Sequence, residues 1–238
     1  MRTFKAELEK IGIPYTGSKV ESSINACNKL CAKKLYDFNR VPSAAYVGVT
    51  NDQDLDMDHI MNVVGDDVVV KAAKEGSSIG LYFAKGEEQI KDAIKKAGEY
   101  DKDILVEKRI PGREFTCAIL EIDGEATALP VIEIVPKNEY YDFESKYDEG
   151  GSEHICPAKI DEDLAKRIQD IAMKAHKCLD CSGFSRTDIR VNDEGDAFAL
   201  ETNTIPGMTS KSLVPDAARA IGISFEDLCE LIINNELR

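Results

Sequence analysis

Residues 183–213 read GFSRTDIRVNDEGDAFALETNTIPGMTSKSL, and the interpretation of the whole chain starts from this stretch. The pattern predicts a strand over Phe184–Val191, a turn at 192–195 (NDEG) and a second strand over Ala197–Thr202. Turn residues between two apolar-rich runs are typical of a hairpin. A loop with Pro206-Gly207 follows and leads towards a helix.

The polar residues of this hairpin are arranged for chemistry. Because side chains alternate along a strand, Arg186 and Asp188 share one face, as do Glu201 and Asn203 if the second strand extends that far. If the strands pair, two carboxylates and an amide converge beside a guanidinium. Such oxygen ligands suit Mg²⁺ bound with substrate phosphates, and Arg186 would stabilise charge developing in a transition state. An ordinary surface hairpin is the alternative for these residues taken alone.

Length and composition limit the class of protein. A chain of 238 residues with 43% hydrophobic and 31% charged residues can form one large or two modest globular domains. No apolar run approaches the roughly 20 residues that cross a bilayer, and the amino terminus lacks the pattern of a signal peptide. We therefore expect a cytoplasmic protein that does not enter a membrane. A net charge of −14 argues against non-specific nucleic-acid binding.

The seven cysteines are dispersed through the chain and are odd in number. Without an export signal, reduced thiols are the expected state. Cys178 and Cys181 form a lone C-x-x-C, and His176 nearby does not complete a set of zinc ligands. The sequence therefore disfavours a metal or redox role for this pair.

Periodicity predicts several further elements. Ser22 or Ser23 caps a helix that continues to about Asp37. Strands are expected at 67–71, which ends in a lysine, and at 104–110. Residues 114–122 and 126–135 are predicted to form a hairpin around Asp123-Gly124.

The loop after the strand at 67–71 reads AAKEGSSIGLYF (72–83). Its small residues can turn backbone N–H groups towards an anion and its hydroxyls add donors, as in a flap over phosphates. The spacing is not that of a P-loop, and the loop precedes a strand instead of opening a helix. A mobile surface loop fits this segment equally well. Residues 138–151, which are polar and aromatic, predict a long functional loop.

Seven segments, taken together and in order, resemble the D-alanine–D-alanine ligases of the ATP-grasp superfamily. They are VVVKAAKEGSSIG (68–80), ILVEKRIPGREFT (104–116), LPVIEIVP (129–136), YYDFESKY (140–147), HICPA (154–158), GFSRTD (183–188) and LETNTIPGMTSKSLVP (200–215). The match is continuous from about Leu8 to the carboxyl end, and the last segment is highly specific.

The resemblance implies an ATP-grasp fold of the α+β or α/β class, in which two subdomains with antiparallel sheets clasp ATP. The bounds implied are 1–18 for a remnant or linker, 19–108 for the small central subdomain and 109–238 for the carboxy-terminal subdomain. A loop over 136–152 would close the site.

The activity implied is an ATP-dependent carboxylate–amine ligation. The carboxylate of one D-alanine is phosphorylated to an acyl phosphate, and the amine of a second D-alanine attacks it. The products are D-alanyl-D-alanine for peptidoglycan synthesis, ADP and phosphate. The cofactors implied are ATP and two Mg²⁺ ions, with Mn²⁺ as an alternative ion.

The resemblance also assigns site residues in four groups. The cofactor-binding residues are Lys29, Lys71, Ser77 and Ser78 for the ATP phosphates, Glu107, Lys108 and Ile110 for adenine, and Glu114 for ribose. The catalytic residues are Arg186, which faces the oxyanion, Ser77, and Lys146 and Tyr147 of the closing loop. The metal ligands are Asp188, Glu201 and Asn203. The substrate-binding residues are Gly207, Ser212 and Leu213, which take the second amino acid's carboxylate.

Several positions depart from the pattern of these ligases. Asn28 stands where they have Asp, Ala72 where they have Pro, Thr202 where they have an aliphatic residue, and Lys211 where many have His. None of these changes removes an expected phosphate or metal ligand.

A larger departure concerns the amino terminus. These ligases begin with a Rossmann-like domain that orients the first D-alanine, and the motif GIPYTGS (12–18) normally follows that domain. Since the chain starts just before it, we expect this domain, and half of the amino-acid pocket, to be missing from the polypeptide.

Two other functions fit the same residues. One is a truncated ATP-binding paralogue, or a subunit that needs a partner chain to supply the missing domain. The other is a ligase for a different amino acid or peptide. The expected partners are ATP and a D-amino acid, with no nucleic acid and no membrane, and a homo-oligomer is left open.

Overall fold

Two antiparallel sheets, each backed by helices, make up the computed structural model of the protein, which describes residues 2–51, 54–76, 78–136 and 152–236. The helices within these ranges are α1 (Arg2–Lys10), α2 (Val20–Cys27), α3 (Lys29–Phe38), α4 (Met57–Val64), α5 (Glu87–Ala97), α6 (Glu162–Cys178), α7 (Leu213–Ala220) and α8 (Phe225–Glu236). The strands are β1 (Tyr46–Thr50), β2 (Asp67–Ala72), β3 (Leu81–Lys85), β4 (Asp103–Lys108), β5 (Arg113–Ile122), β6 (Glu125–Ala128), β7 (Ile132–Pro136), β8 (Ser152–Ile155), β9 (Phe184–Val191) and β10 (Ala197–Asn203).

The small sheet has the strand order β1-β4-β2-β3. Val68 and Val70 of β2 and Val106 of β4 point to one face, where they form a core with α4 and α5. Because faces alternate along a strand, Val69 and Lys71 point to the opposite face. That second face of the small sheet lines the candidate site.

The large sheet has the order β10-β9-β5-β7-β8, and β6 pairs with β5. One face is covered by α6, where Phe115 and Ile189 are fully buried in the main core. The other face carries a second core at one end, in which Leu120 and Phe184 pack against α7 and α8. The remaining end of this face is polar and faces the small sheet.

Helix α3 lies between the two sheets. Its residues Ala32 and Tyr36 belong to the core under the large sheet, whereas its Lys33 reaches Glu107 in the small sheet. The helix therefore contacts both of the subdomains expected at 19–108 and 109–238. Those bounds stay a prediction.

The expectation of one continuous helix from Ser22 to Asp37 was wrong. The helix breaks at Asn28, which has extended backbone angles and ends α2 with an N–H to Ile24 O bond of 3.1 Å. Its side-chain oxygen then accepts from the amides of Leu30 and Cys31, and so it caps α3. An Asn that caps the next helix satisfies donors that would otherwise lack partners.

The expectation of one strand over 126–135 was also wrong. The chain leaves the ladder at Leu129–Val131, so that β6 pairs with one end of β5 and β7 with the other. Pro130 lies in this interval, and a proline cannot donate to a strand ladder. The predicted hairpin of β9 and β10 was confirmed, with β10 one residue longer than expected.

The seven cysteines are free thiols. Burial raises the pKa of Cys178 to about 11 and that of Cys181 to about 12, so both stay protonated at neutral pH. In the part of the chain that the structure describes, no helix is long and apolar enough to cross a membrane.

Gly112, in the turn that joins the two sheets, provides a test of the fold. Its φ is +123°, and a Cβ atom there would lie 2.1 Å from the carbonyl oxygen of Val191. We expect Gly112→Ala to lower the free energy of unfolding by about 2–4 kcal/mol, because backbone has to move. Urea unfolding followed by circular dichroism measures the change.

Gly222, which follows α7, is the matched control. Its φ is +85°, but no atom lies within 4 Å of the position of a Cβ. Gly222→Ala should cost only about 1 kcal/mol, since the penalty is limited to the backbone conformation. Equal losses in the two variants would contradict the close approach at Gly112.

Candidate functional site

Three rows of side chains cross the polar end of the large sheet. The antiparallel register of β5, β9 and β10 sets residues directly opposite each other, and opposite residues share a face. The rows are Glu114 with Arg190, Thr116 with Asp188 and Glu201, and Arg186 with Asn203. The register thus brings together the four residues expected from R-x-D and E-x-N.

This convergence depends on a β-bulge in β10. Ala199 pairs with Ile189, but the next pair is Glu201 with Asp188, so Leu200 is an extra residue. If Leu200 were paired regularly with Asp188, Glu201 would pair with Thr187 and point to the opposite face of the sheet. The bulge therefore turns Glu201 towards Asp188.

Arg186 and Asp188 form a two-pronged ion pair. The guanidinium donates from Nε to Oδ1 and from a terminal nitrogen to Oδ2, both at 2.9 Å. Thr116 Oγ1 donates to Asp188 Oδ1 at 2.7 Å. Such charge-assisted bonds fix the orientation of both groups, so the carboxylate is held in place before any ligand arrives.

Behind the polar face of β9 and β10 lies a chain of buried hydroxyls. Thr202 Oγ1 is 2.8 Å from the hydroxyls of both Thr187 and Tyr36. The departure at Thr202 thus has a structural basis, because its hydroxyl joins β9, β10 and α3. Burial raises the pKa of Tyr36 far above its usual range, so the phenol stays protonated.

On the facing small sheet, a buried carboxylate lies between two lysines. Lys33 Nζ is 2.9 Å from Glu107 Oε2, and the ammonium of Lys71 contacts Oε1. Burial alone would raise the pKa of Glu107, but the two ammonium groups outweigh it and lower the pKa to about 2. Glu107 is therefore an ionised acceptor, and Oε2 has no hydrogen bond of good geometry within the described residues.

The expected phosphate residues border the same cleft. Lys29 and Lys71 both line it, and the Lys29 ammonium donates to the carbonyl of Glu75. Burial lowers the pKa of Lys29, and Glu201 opposes this shift. Ser78 also lines the cleft and adopts a positive φ of 63°. Lys29, Lys71, Ser78 and the carboxylates of Asp188 and Glu201 therefore meet in one place.

At Ala72, where the resemblance leads us to expect a proline, the backbone amide forms a hydrogen bond within the flap. Its amide donates to the carbonyl of Gly80 at 2.9 Å, and a proline has no such donor. This bond closes the base of the Gly- and Ser-containing turn.

One end of the cleft is apolar on its walls and polar at its edge. Its lining includes Val69, Leu81, Phe83, Ile110 and Leu200, with Glu107, Lys108, Glu114 and Arg190 beside them. The amide of Lys108 donates to Ala45 O at 2.8 Å, which leaves the carbonyl as its backbone group for a base. An apolar slot with a few polar groups at its edge suits a planar base.

Gly207, Ser212 and Leu213 form a neighbouring cluster at the start of α7. A Cβ on Gly207 would lie 2.9 Å from Ser212 Oγ, and Ser212 Oγ accepts from the amide of Thr209 at 3.0 Å. The first turn of a helix presents backbone N–H groups and favours an anion. The cluster can therefore hold a carboxylate.

Three expected residues, Ser77, Lys146 and Tyr147, lie outside the described residues. Asn203 lines a second cavity that shares Lys29 and Glu201 with the cleft. Sequence reasoning gave no role to Lys33, Thr116, Tyr36 or Arg190. For Lys33 a signal existed, since it lies one helical turn after Lys29 on the same side of α3.

The oxygen donors of Asp188, Glu201 and Asn203 suit one class of metal ion. Within residues 2–51, 54–76, 78–136 and 152–236, no three His, Cys, Asp or Glu side chains gather as a metal group. Two carboxylates and an amide fit Mg²⁺, which commonly takes few protein ligands together with substrate phosphates. They do not fit a structural zinc site.

The low pKa of Glu107 predicts a pH effect on stability. Its folded-state pKa of about 2 lies below the ordinary 4.5, so its stabilising contribution is present above pH 4.5 and is lost as the pH falls towards 2. A double variant, Lys33→Met with Glu107→Gln, lacks this term. As the pH falls from above 4.5 towards 2, the wild type should lose on the order of 3 kcal/mol of unfolding free energy relative to the double variant. Urea unfolding at stepped pH measures it, and a constant gap between the two proteins would show that folding does not lower the pKa of Glu107.

Comparison with known proteins agrees with this geometry. The family described as "D-ala D-ala ligase C-terminus" matches residues 35–234 of the chain. The D-alanine–D-alanine ligase of Geobacter sulfurreducens is 43% identical, over 99% of this chain and 73% of that protein. That of Carboxydothermus hydrogenoformans is 42% identical, over 95% of this chain and 74% of its own length.

Solved structures give the same result. The VanG D-Ala:D-Ser ligase of Enterococcus faecalis superposes with a TM-score of 0.89 at 33% identity, covering 98% of this chain and 68% of that one. The Bacillus anthracis D-alanine–D-alanine ligase complexed with ATP gives a TM-score of 0.85 at 29% identity, covering 99% and 74%. The match to the family model and the identity to these relatives show that this chain belongs to the D-alanine–D-alanine ligase family, with the ATP-grasp fold.

Proposed function

We propose that this protein is an ATP-dependent ligase that joins two D-alanine molecules through an acyl phosphate. The observation that carries the proposal is the cleft between the sheets, in which two lysines, two carboxylates and an apolar slot with a buried acceptor converge. ATP is the ligand that uses all of these groups at once.

In the proposed complex the base lies in the apolar slot. Glu107 accepts from the exocyclic amine of adenine, the backbone of Lys108 and Ile110 meets the base edge, and Glu114 accepts from the ribose. Lys29 and Lys71 contact the phosphates, and the flap with Ser77 and Ser78 covers them. The ionised carboxylate of Glu107, which lines the cleft, supports this placement, because a charged acceptor forms strong hydrogen bonds with N–H donors.

Asp188, Glu201 and Asn203 would hold the Mg²⁺ ions. When bound, the metal supplies charge neutralisation for the transferred phosphoryl group. The chain contributes the orientation of these ligands, through the bulge at Leu200 and the hydrogen bond from Thr116. The proposed number of Mg²⁺ ions is two.

The chain's own residues also serve the second half of the reaction. Arg186 would face the oxyanion formed when the amine attacks, since it lies beside Asp188 on the same face of β9. Gly207, Ser212 and Leu213 would bind the carboxylate of the second amino acid at the start of α7. Lys146 and Tyr147 would close over the site and exclude water from the acyl phosphate.

A second candidate concerns the acceptor amino acid. The VanG protein is named a D-Ala:D-Ser ligase, and it superposes on this chain with a TM-score of 0.89. We therefore keep D-serine as a candidate second substrate.

The pocket for the first amino acid would be completed by residues of a further domain, either on the same polypeptide or on a partner chain. Self-association of the chain can be measured directly.

Glu201→Ala tests the metal and phosphate assignment. Removing this carboxylate should weaken ATP binding in the presence of Mg²⁺ by about 100-fold or more, because a metal ligand is lost. Isothermal titration calorimetry measures the affinity. Glu194→Ala is the control, since Glu194 is an exposed carboxylate in the turn of the same hairpin. Unchanged affinity in Glu201→Ala would show that the hairpin does not bind the metal.

Phosphate release tests the reaction. With ATP and Mg²⁺, the protein should release phosphate only when D-alanine is added, and the product should be the dipeptide. A parallel assay with D-alanine plus D-serine distinguishes the second candidate. ATP binding without turnover stimulated by a D-amino acid would instead favour a nucleotide-binding subunit.

A further inference from the structure

Lys33 is a fully buried lysine that has no role in the function proposed above. It is 1% exposed, and its ammonium contacts Glu107 Oε2 at 2.9 Å and donates to the carbonyl of Ala44 at 3.3 Å. The ring centroid of Tyr46 lies 5.7 Å from it. Burying a lysine is costly, so a lysine kept in such a place needs an explanation.

Glu107 already has a second cation. The ammonium of Lys71 contacts its other oxygen, Oε1, and one buried carboxylate needs only one positive charge for neutrality. The two lysines differ in access, because Lys71 is 11% exposed and lines the cleft, whereas Lys33 lies behind Glu107. The pair is therefore asymmetric, with one lysine next to the ligand site and the other behind the carboxylate.

The proposed reaction gives Lys71 a second partner. If Lys71 contacts the phosphates of ATP, it shares or leaves its ion pair with Glu107. A buried carboxylate that loses its counter-ion is strongly destabilised. Without another cation, ATP binding would then have to overcome that cost.

We propose that Lys33 is a positioning residue for nucleotide binding, the permanent counter-ion of Glu107 that allows Lys71 to move from the carboxylate to the phosphates of ATP. This inference rests on the proposed function. Lys33 keeps Glu107 ionised, and so able to accept from the base, whichever partner Lys71 has.

The position of Lys33 on α3 suits this role. Its neighbours Ala32 and Tyr36 are packed in the core of the large sheet, so packing holds α3 in place when a ligand binds. The other charges that act on this group are Asp37, which acts on Lys33, and Lys29, which is coupled to both Lys71 and Glu107. Lys29 donates to the backbone carbonyl of Glu75 and interacts electrostatically with Glu201, so it is no substitute for Lys33.

Lys33→Met tests the inference, because it removes the charge and keeps the length of the side chain. In the ligand-free protein Lys71 still neutralises Glu107, so the variant should fold. ATP affinity with Mg²⁺ should fall by about tenfold or more in calorimetry, because Lys71 is now held by Glu107. Lys34→Met is the matched control, since Lys34 is the exposed next residue of α3, and its affinity should be that of wild type.

A double variant separates positioning from packing. Once Glu107→Gln removes the charge, no counter-ion is needed, so Lys33→Met should add little to the affinity loss of Glu107→Gln alone. If the two losses multiply, Lys33 acts independently of Glu107 and the inference fails. It also fails if Lys33→Met binds ATP as wild type does, or if it does not fold, which would make Lys33 a structural residue. Absence of ATP binding by wild type would instead overturn the proposed function.

Discussion

Burial of the Glu107 carboxylate constrains the arrangement around the cleft. An ionised group that is 2% exposed requires positive partners, and these come from two elements, α3 and β2. Helix α3 is therefore held against the small sheet by charge and against the large sheet by apolar packing of Tyr36 and its neighbours. The same helix carries Lys29 to the cleft. The buried charge of Glu107 therefore contributes both to the lining of the cleft and to holding α3 at the junction of the two sheets.

Much of the fold could be predicted from local pattern. The hairpin of β9 and β10 has turn residues between two apolar-rich runs, so its prediction needed no tertiary information. The break at Asn28 was missed because a capping Asn looks like any polar residue within a helix. The break at Leu129–Val131 was missed because the apolar run continues through Pro130, and only pairing with two ends of β5 separates the strands.

The site was predictable in its residue types but not in its geometry. The R-x-D and E-x-N spacing gave the four polar residues, and the resemblance gave their roles, which stay proposals. Periodicity alone could not show that Glu201 faces Asp188, because that depends on the extra residue at Leu200. Burial of Lys33 was equally hidden, since a lysine on a helix is ordinarily exposed.

The bulge has a consequence for how this strand can change in sequence. Deletion of Leu200 would remove the extra residue and leave Glu201 opposite Asp188, so the faces of β10 would be kept. If Leu200 stayed and β10 paired regularly through it, the two faces beyond Ala199 would be exchanged. Glu201 and Asn203 would enter the apolar core beneath α6, and Thr202 would leave the hydroxyls of Thr187 and Tyr36 for the cleft. The alternation of side chains along β10 thus places both the ligand face and the buried hydroxyl chain. A shift of one residue in the pairing of β10 therefore cannot change one of them without disrupting the other.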